Sequence, residues 1–326
     1  ETPEASYARE TRVIVPAPYG AHNWQPMSFS PQTGLVYIPA EQPTGIYAPP
    51  QEWLKTGHYT RRDMFWNPGI DWNTFLDTVG DLMQKFGGAL PPDRGYLKAW
   101  DPIRKKTLWE IEQPAWWNGG VLTTAGNLLV QGTGDGRLVA YAADTGKILW
   151  ALPTMIGIIA PPITYAVGGE QYIAVMAGYG GAGGVTGGDP RTMASARYMN
   201  DGYVLAFKLG GKAAMPHIAE KNAQIPQPPP INATEAQLTN GKYKYMSNCM
   251  MCHGGLVVSG GVLPDLRMLP AEKHAIFKEI VFDGVIHSAG MPRMGDLLNE
   301  QDVHDIQAYI IQRASQDRAA AAAAAH

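Results

Sequence analysis

The sequence predicts a mainly β chain that closes with a small all-α domain, the β part being three to four blades of a β-propeller. Three observations carry this. Tryptophan recurs at one point of a repeat about a blade long; a proline-rich stretch divides β-type from helix-type sequence; and a Cys-x-x-Cys-His run follows that divide.

The 326 residues exceed one typical domain. A net charge of −3 gives no reason to expect nucleic acid or an anionic membrane surface as partner. The 37 glycines, 26 prolines and nine tryptophans, with 17% charged residues, suit a turn-rich β protein. No apolar run approaches the roughly 18 residues of a membrane span. The sequence opens at Glu1 without a methionine or a leader-type apolar run, as a processed chain or a fragment would.

Taken in order, residues 1–209 form the β part, with strands expected at 121–125, 127–133, 137–141 and 148–152, then at 163–167, 172–177 and 203–209. Ala-Gly-Asn, Gly-Asp-Gly and Asp-Thr-Gly turns join the first four. Ala99 precedes Trp109 by ten residues and Ala140 precedes Trp150 by ten, so the two indoles lie 41 apart. A flat ring at one point of each blade can wedge between neighbouring sheets. Residues 44–92 break the rhythm with Trp53, Trp66, Trp72 and a possible helix at 72–86. They read as an insertion that shapes a site at one face or forms a satellite core. Residues 210–234, centred on Pro228-Pro229-Pro230, read as a semi-rigid linker.

The α domain spans 235–318, with a helix at 235–247 leading into the cysteine motif. Asn299 is a good N-cap for a last helix from Glu300 to about Ala314, with Asp302 at the capping-box position. Val303, Ile306, Ile310 and Ala314 give that helix one apolar face. The tail at 319–326, seven alanines and His326, has no natural rationale and reads as an artefact.

Cys249-Met250-Met251-Cys252-His253 is the attachment signature of a c-type haem. Thiols three apart can form thioethers to both vinyl groups of one porphyrin, and His253 then stands beneath the iron. These are the chain's two cysteines. A zinc site would need two further ligands at metal-ligand spacing, and a thioredoxin-like pair a βαβ pattern; neither is visible. With helices at both ends, the domain fits a class I cytochrome c. The sixth iron ligand is expected to be Met291, in Gly290-Met291-Pro292, 38 residues after His253. Met294, Met268 and His287 are its rivals. Because haem c is attached outside the bacterial cytoplasm, the motif points to the periplasm.

Two segments closely resemble the tryptophan-docking blades of pyrroloquinoline-quinone (PQQ) dehydrogenases: GGVLTTAGNLLVQGTGDGRLVAYAADTGKILW at 119–150 and GAHNWQPMSFSPQTGLVYIPA at 20–40. With the haem domain, the chain resembles the C-terminal part of a quinohaemoprotein alcohol dehydrogenase, similar to the large subunit of the membrane-associated enzyme of acetic acid bacteria. Of the family's docking pattern A-x-D-x-x-T-G-x-x-x-W, Ala99, Asp101 and Trp109 match in one copy, with Arg104 and Lys105 replacing Thr and Gly. In the other, Ala140, Thr145, Gly146 and Trp150 match and Ala142 replaces Asp.

The resemblance implies an eight-bladed quinoprotein propeller, of which this chain holds part, and haem c, PQQ and Ca²⁺ as cofactors. It maps the quinone site onto Asn23, Trp24, Trp117 and Asn118, with blade packing the competing role for both tryptophans. No residue here matches the family's catalytic base, calcium ligands or vicinal disulfide; all are expected upstream, and a preceding segment or separate chain is expected to supply the other blades. The implied reaction is oxidation of a primary alcohol to an aldehyde, with electrons passing through haem c to a cytochrome c subunit or ubiquinone. A partner subunit could hold the protein at the periplasmic face of the cytoplasmic membrane. Two competing readings are an electron-transfer cytochrome on a non-catalytic propeller scaffold and a haem-d1-type nitrite reductase; the docking repeats favour neither.

Overall fold

The computed structural model describes residues 6–17, 19–58, 69–181, 192–221, 224–230 and 232–324. Trp66 and His326 lie outside the described residues. Strand β1 (Arg12–Ile14) precedes β2 (Ser28–Ser30) and β3 (Leu35–Gln42), and β4 (Gly45–Tyr47) returns to pair antiparallel with β1. With β5 (Arg94–Asp101) and β6 (Lys106–Gln113), β2 and β3 make a four-stranded antiparallel sheet of order β2-β3-β5-β6. The second sheet is a meander of β7 (Val121–Thr123), β8 (Leu128–Thr133), β9 (Arg137–Ala142) and β10 (Ile148–Pro153). The third contains β11 (Ile163–Val167), β12 (Glu170–Ala177) and β13 (Tyr203–Lys208). These three antiparallel sheets are blades of a propeller. Positive φ at Asn127 (59°), Gly136 (87°) and Gly146 (72°) accounts for the turn residues between them.

The blades are glued face to face, and β9 shows how. Its Leu138, Val139, Ala140 and Tyr141 are all buried, because both faces of the strand meet another blade. Val139 and Tyr141 join Tyr37, Leu97 and Ala99 of the first sheet. Leu138 and Ala140 join Ile158, Val175 and Leu205 on the other side. Each large side chain so buried contributes about 1.5–3 kcal/mol. The repeated indole works as its spacing implies. Trp109 donates from Nε1 to the carbonyl of Ala143 in the next sheet at 3.2 Å. It also covers Gly146, where a Cβ would meet the ring at 2.9 Å. Trp150 packs edge-on against Phe207 of the third sheet, ring centroids 5.9 Å apart.

The helical domain begins with Glu235–Asn248, started by a full capping box between Thr234 and Gln237. The short helix Met250–His253 follows at once. The last helix runs Glu300–Ala324, with the reciprocal Asn299–Asp302 cap expected of it: Asp302 N donates to Asn299 Oδ1 at 2.8 Å and Asn299 N to Asp302 Oδ2 at 3.3 Å. Its Val303, Ile306, Ile310 and Ala314 are all buried. It continues ten residues past the expected end, since alanine is the strongest helix former and nothing stops it. First and last helices touch at Gly241, where a Cβ would collide with the backbone carbonyl of Asp305. Residues 234–318 thus pack as two long helices crossing over short ones.

The segment expected as an insertion packs on the helical domain. Its helices are Gln51–Thr56 and Trp72–Lys85. Ile70, 6% exposed, lies in the same buried cluster as Tyr245, Ile306 and Ile310, with Leu76 and Tyr47 against its edge. Tyr243 donates to Asp77 across the contact at 2.6 Å. The proline-rich stretch is also anchored at points along its length. Ile218 is buried against the third sheet, and Arg318 of the last helix donates to the Ile225 carbonyl. No described helix is long and apolar enough to cross a membrane.

Candidate functional site

Cys249 ends one helix and caps the next, so the motif sits at a helix junction. One turn onward, Cys252 N and His253 N both bond back to the Cys249 carbonyl, at 3.1 and 2.9 Å. Spacing of i and i+3 then brings the two thiols to one face. Neither is in a disulfide; Cys249 is buried and Cys252 half-buried. Burial pushes the Cys249 thiol up to about 12 and raises Cys252 as well. The thiols are therefore held as neutral SH.

His253 Nδ1 lies 2.9 Å from the Pro264 carbonyl. A carbonyl only accepts, so Nδ1 carries the proton and Nε2 keeps its lone pair, the form an axial ligand needs. Burial also depresses its basicity, while the Pro264 bond opposes that. Arg267 fixes the loop, bonding Asp265 at 2.6 and 3.0 Å and Asp317 of the last helix at 2.9 Å.

Among the sixth-ligand candidates, Met291 is half-buried at the edge of the cytochrome core, directly after Gly290 with φ 99°. Met294 is 2% exposed inside that core, and its backbone NH bonds the Val281 carbonyl. Met268 is half-buried in a 3-10 turn, and His287 is exposed with Nδ1 near the Gly284 carbonyl. Met294 is enclosed in the core, while Met291 packs half-buried against its edge.

The segments expected at a quinone meet around Tyr19. Asn23 donates from Nδ2 to the Tyr19 carbonyl, and its Oδ1 accepts from Trp24 N. The Tyr19 ring lies 5.5 Å from Trp116 and 5.4 Å from Trp117. Trp24 is 47% exposed, an open indole face. Trp117 is wholly buried with Trp116, Ile159, Tyr179 and Met193. Asn118 is 4% exposed, and its amide is committed to backbone: Nδ2 to the Ala115 carbonyl at 2.7 Å and Oδ1 from Gly134 N at 3.1 Å. Its geometry is that of a brace holding Trp117. The Nε1 atoms of Trp116 and Trp117 are buried without partners, which suits a pocket that receives a polar group. Among the described residues no group of three His, Cys, Asp or Glu side chains could hold a metal ion.

Sequence reasoning missed three things. Val262 packs against the Trp116–Trp117 cluster, although Pro264 two residues on receives His253. Lys221 ties the halves together, Nζ bonding the Ser195 carbonyl at 2.7 Å and the Gly261 carbonyl at 2.5 Å. Glu41 is a buried carboxyl beside Gln25. The first two depend on tertiary approach and left no local signal; the third was legible as an acid at an inward position of an alternating strand.

Propeller blades joined to a c-type cytochrome domain define the class. A family model described as "Glucose/ethanol/alcohol dehydrogenase, beta-propeller domain" matches residues 89–173, and one described as "Cytochrome C oxidase, cbb3-type, subunit III" matches 236–310. The chain is 37% identical over 320 residues to quinohemoprotein alcohol dehydrogenase ADH IIB of Pseudomonas putida, covering 97% of this chain and 44% of that protein. It is 36% identical over 304 residues to the dehydrogenase subunit of the alcohol dehydrogenase (quinone) of Acetobacter aceti, covering 92% and 40%. Two solved quinohemoprotein alcohol dehydrogenases, from Pseudomonas putida HK5 and Comamonas testosteroni, superpose with TM-scores of 0.80 and 0.75 at 37% and 35% identity. Each covers 95% of this chain, which in turn covers 44% and 43% of theirs. The chain is similar to quinohaemoprotein alcohol dehydrogenases over nearly its whole length. It spans less than half the length of these relatives.

Proposed function

We propose that this chain is the electron-exit part of a periplasmic quinohaemoprotein alcohol dehydrogenase that oxidises primary alcohols to aldehydes. PQQ, polarised by Ca²⁺, would supply the two-electron oxidation. The fit of the residues present supports this reading. Cys249 and Cys252 offer two free thiols one turn apart for the haem thioethers. The pinned Nδ1 of His253 leaves Nε2 for iron. Met291 is the candidate opposite ligand. Trp24 presents an indole face for the quinone ring, while Asn23 and Asn118 hold backbone around the site.

The observation that carries the reading is the reach of residues 259–264. That loop touches the aromatic cluster through Val262 and holds His253 through Pro264, so it connects the quinone side to the iron ligand. Further blades would cover the apolar residues left open on the third sheet, including Ile163 (58% exposed), Met176 (64%) and Val204 (76%). The external acceptor would be a cytochrome c subunit or ubiquinone. The test uses the full-length protein loaded with PQQ and Ca²⁺: a primary alcohol should reduce the haem bands, and the reading fails if no short-chain alcohol or aldehyde does so.

A further inference from the structure

Glu41 is 3% exposed, and among the described residues no cation pairs with it. Its Oε1 is buried with no hydrogen-bond partner, and Oε2 has only Gln25 Nε2 at 3.5 Å. Gln25 is 2% exposed, with Oε1 unpartnered. Tyr179, 3% exposed, feels the Glu41 charge, and its hydroxyl is also buried without a partner. Adding the indole NH groups of Trp116 and Trp117 gives five such atoms in one neighbourhood. Unpartnered buried polar atoms are rare, and several together mark room for ordered water or a bound group.

The neighbourhood adjoins the residues that the proposed function assigns to the quinone. Glu41 N donates to the Ala21 carbonyl, two residues before Asn23, and Gln25 directly follows Trp24. Across the sheet Glu41 pairs with Gly95, whose Cα faces the Ala115 and Trp116 carbonyls and the Asn118 amide. We propose that Glu41 is the proton acceptor of the quinone pocket, taking protons through water held by Gln25 and Tyr179 as electrons leave for haem. The inference rests on the quinone reading above.

For each electron pair, two O–H bonds of the reduced cofactor would break, and the single haem, reoxidised by the external acceptor between steps, would take the electrons one at a time. The Glu41 carboxyl would first release its own proton to bulk water; each proton from the cofactor would then form an O–H bond at the ionised Oε1 and leave the same way before the next arrives. The groups facing the carboxyl are Gln25, from the segment before β2, and Tyr179, from the segment after β12; on β5, Arg94 is directed to Glu112 at 3.2 Å. Burial pushes the Glu41 carboxyl up to about 8, with the Gln25 bond opposing, so it can take and release protons near neutral pH.

The test uses the full-length protein and Glu41→Gln. Without cofactor, infrared titration of the unsubstituted protein should show the carbonyl stretch of a protonated buried carboxyl, disappearing with a midpoint near pH 8 and absent from E41Q. Loaded with PQQ and Ca²⁺, E41Q should reduce its haem about 100-fold more slowly after alcohol addition and lose the pH dependence of that step, with partial rescue in Glu41→Asp. An absent infrared band overturns the proposal. So does an E41Q protein with unchanged haem-reduction rate and pH profile, or one that loses cofactor affinity alone. If the unsubstituted protein shows the band but no alcohol-dependent haem reduction, the quinone reading fails instead.

Discussion

Nδ1 of His253 and the carbonyl oxygen of Pro264 are 2.9 Å apart, across eleven residues of chain. The bond decides which nitrogen is free for a metal, and the loop providing it is held by Arg267 between Asp265 and Asp317. Arg267→Met keeps the bulk of the side chain and leaves the partly buried Asp265 carboxylate without its ion-pair partner, while Asp317 keeps Arg313. It should cost about 2 kcal/mol of stability, read as a shift in urea midpoint. It should also shift the haem midpoint potential, because the ring orientation of His253 is no longer fixed.

The thiols make separable predictions. Cys252→Ala should retain haem through one thioether, with the pyridine haemochrome band displaced toward that of an unsaturated vinyl. The Cys249→Ala/Cys252→Ala double variant should show no haem on a denaturing gel.

Met291 and Met294 are three residues apart and should behave oppositely. Met291→Ala should abolish the charge-transfer band of thioether-ligated ferric haem and lower the midpoint potential, since methionine ligation raises it. Met294→Ala should keep the band but destabilise the domain by about 2–5 kcal/mol, because Met294 is 2% exposed within the core. Retention of the band in Met291→Ala would assign the ligand elsewhere.

How much of this was legible in the sequence depends on the range of each interaction. The strand at Ile163–Val167 and the cap at Asn299–Asp302 are local, and composition, turn residues and capping pattern locate them. Trp109 was readable as a docking residue because a 41-residue repeat reports a contact made once per blade. Asn118 shows the limit. The family resemblance assigns it to the quinone site, but nothing in the sequence shows both ends of its amide bonded to backbone. The landing place of Ile70 was equally hidden, since it shares a buried cluster with Tyr245 at a separation no periodicity encodes.

Gly146 combines a positive φ of 72° with a tryptophan overhead, its Cβ position 2.9 Å from the Trp109 ring. Gly146→Ala should therefore cost about 1–3 kcal/mol, from a strained backbone and an overfilled blade contact. Trp109→Phe should recover part of that loss in a double-mutant cycle, because the smaller ring makes room.

Glu41 gives the stability a pH slope. Its folded-state value of about 8 lies above the ordinary 4.5, so the folded chain binds the extra proton between those limits. Stability falls as pH rises through that window, by about 1.4 kcal/mol per unit at the steepest and on the order of 5 kcal/mol in all. Urea midpoints from pH 5 to 9 should show the decline, and Glu41→Gln should flatten it.

Ile70 belongs in sequence to the propeller's insertion and in space to the core of the cytochrome. Excising the cytochrome at the proline segment would leave a socket without its plug, and Tyr243 without Asp77. The fusion has become a single piece of masonry: whatever blades complete the propeller, the haem domain inherits its resting position from a brick laid some 165 residues earlier in the chain.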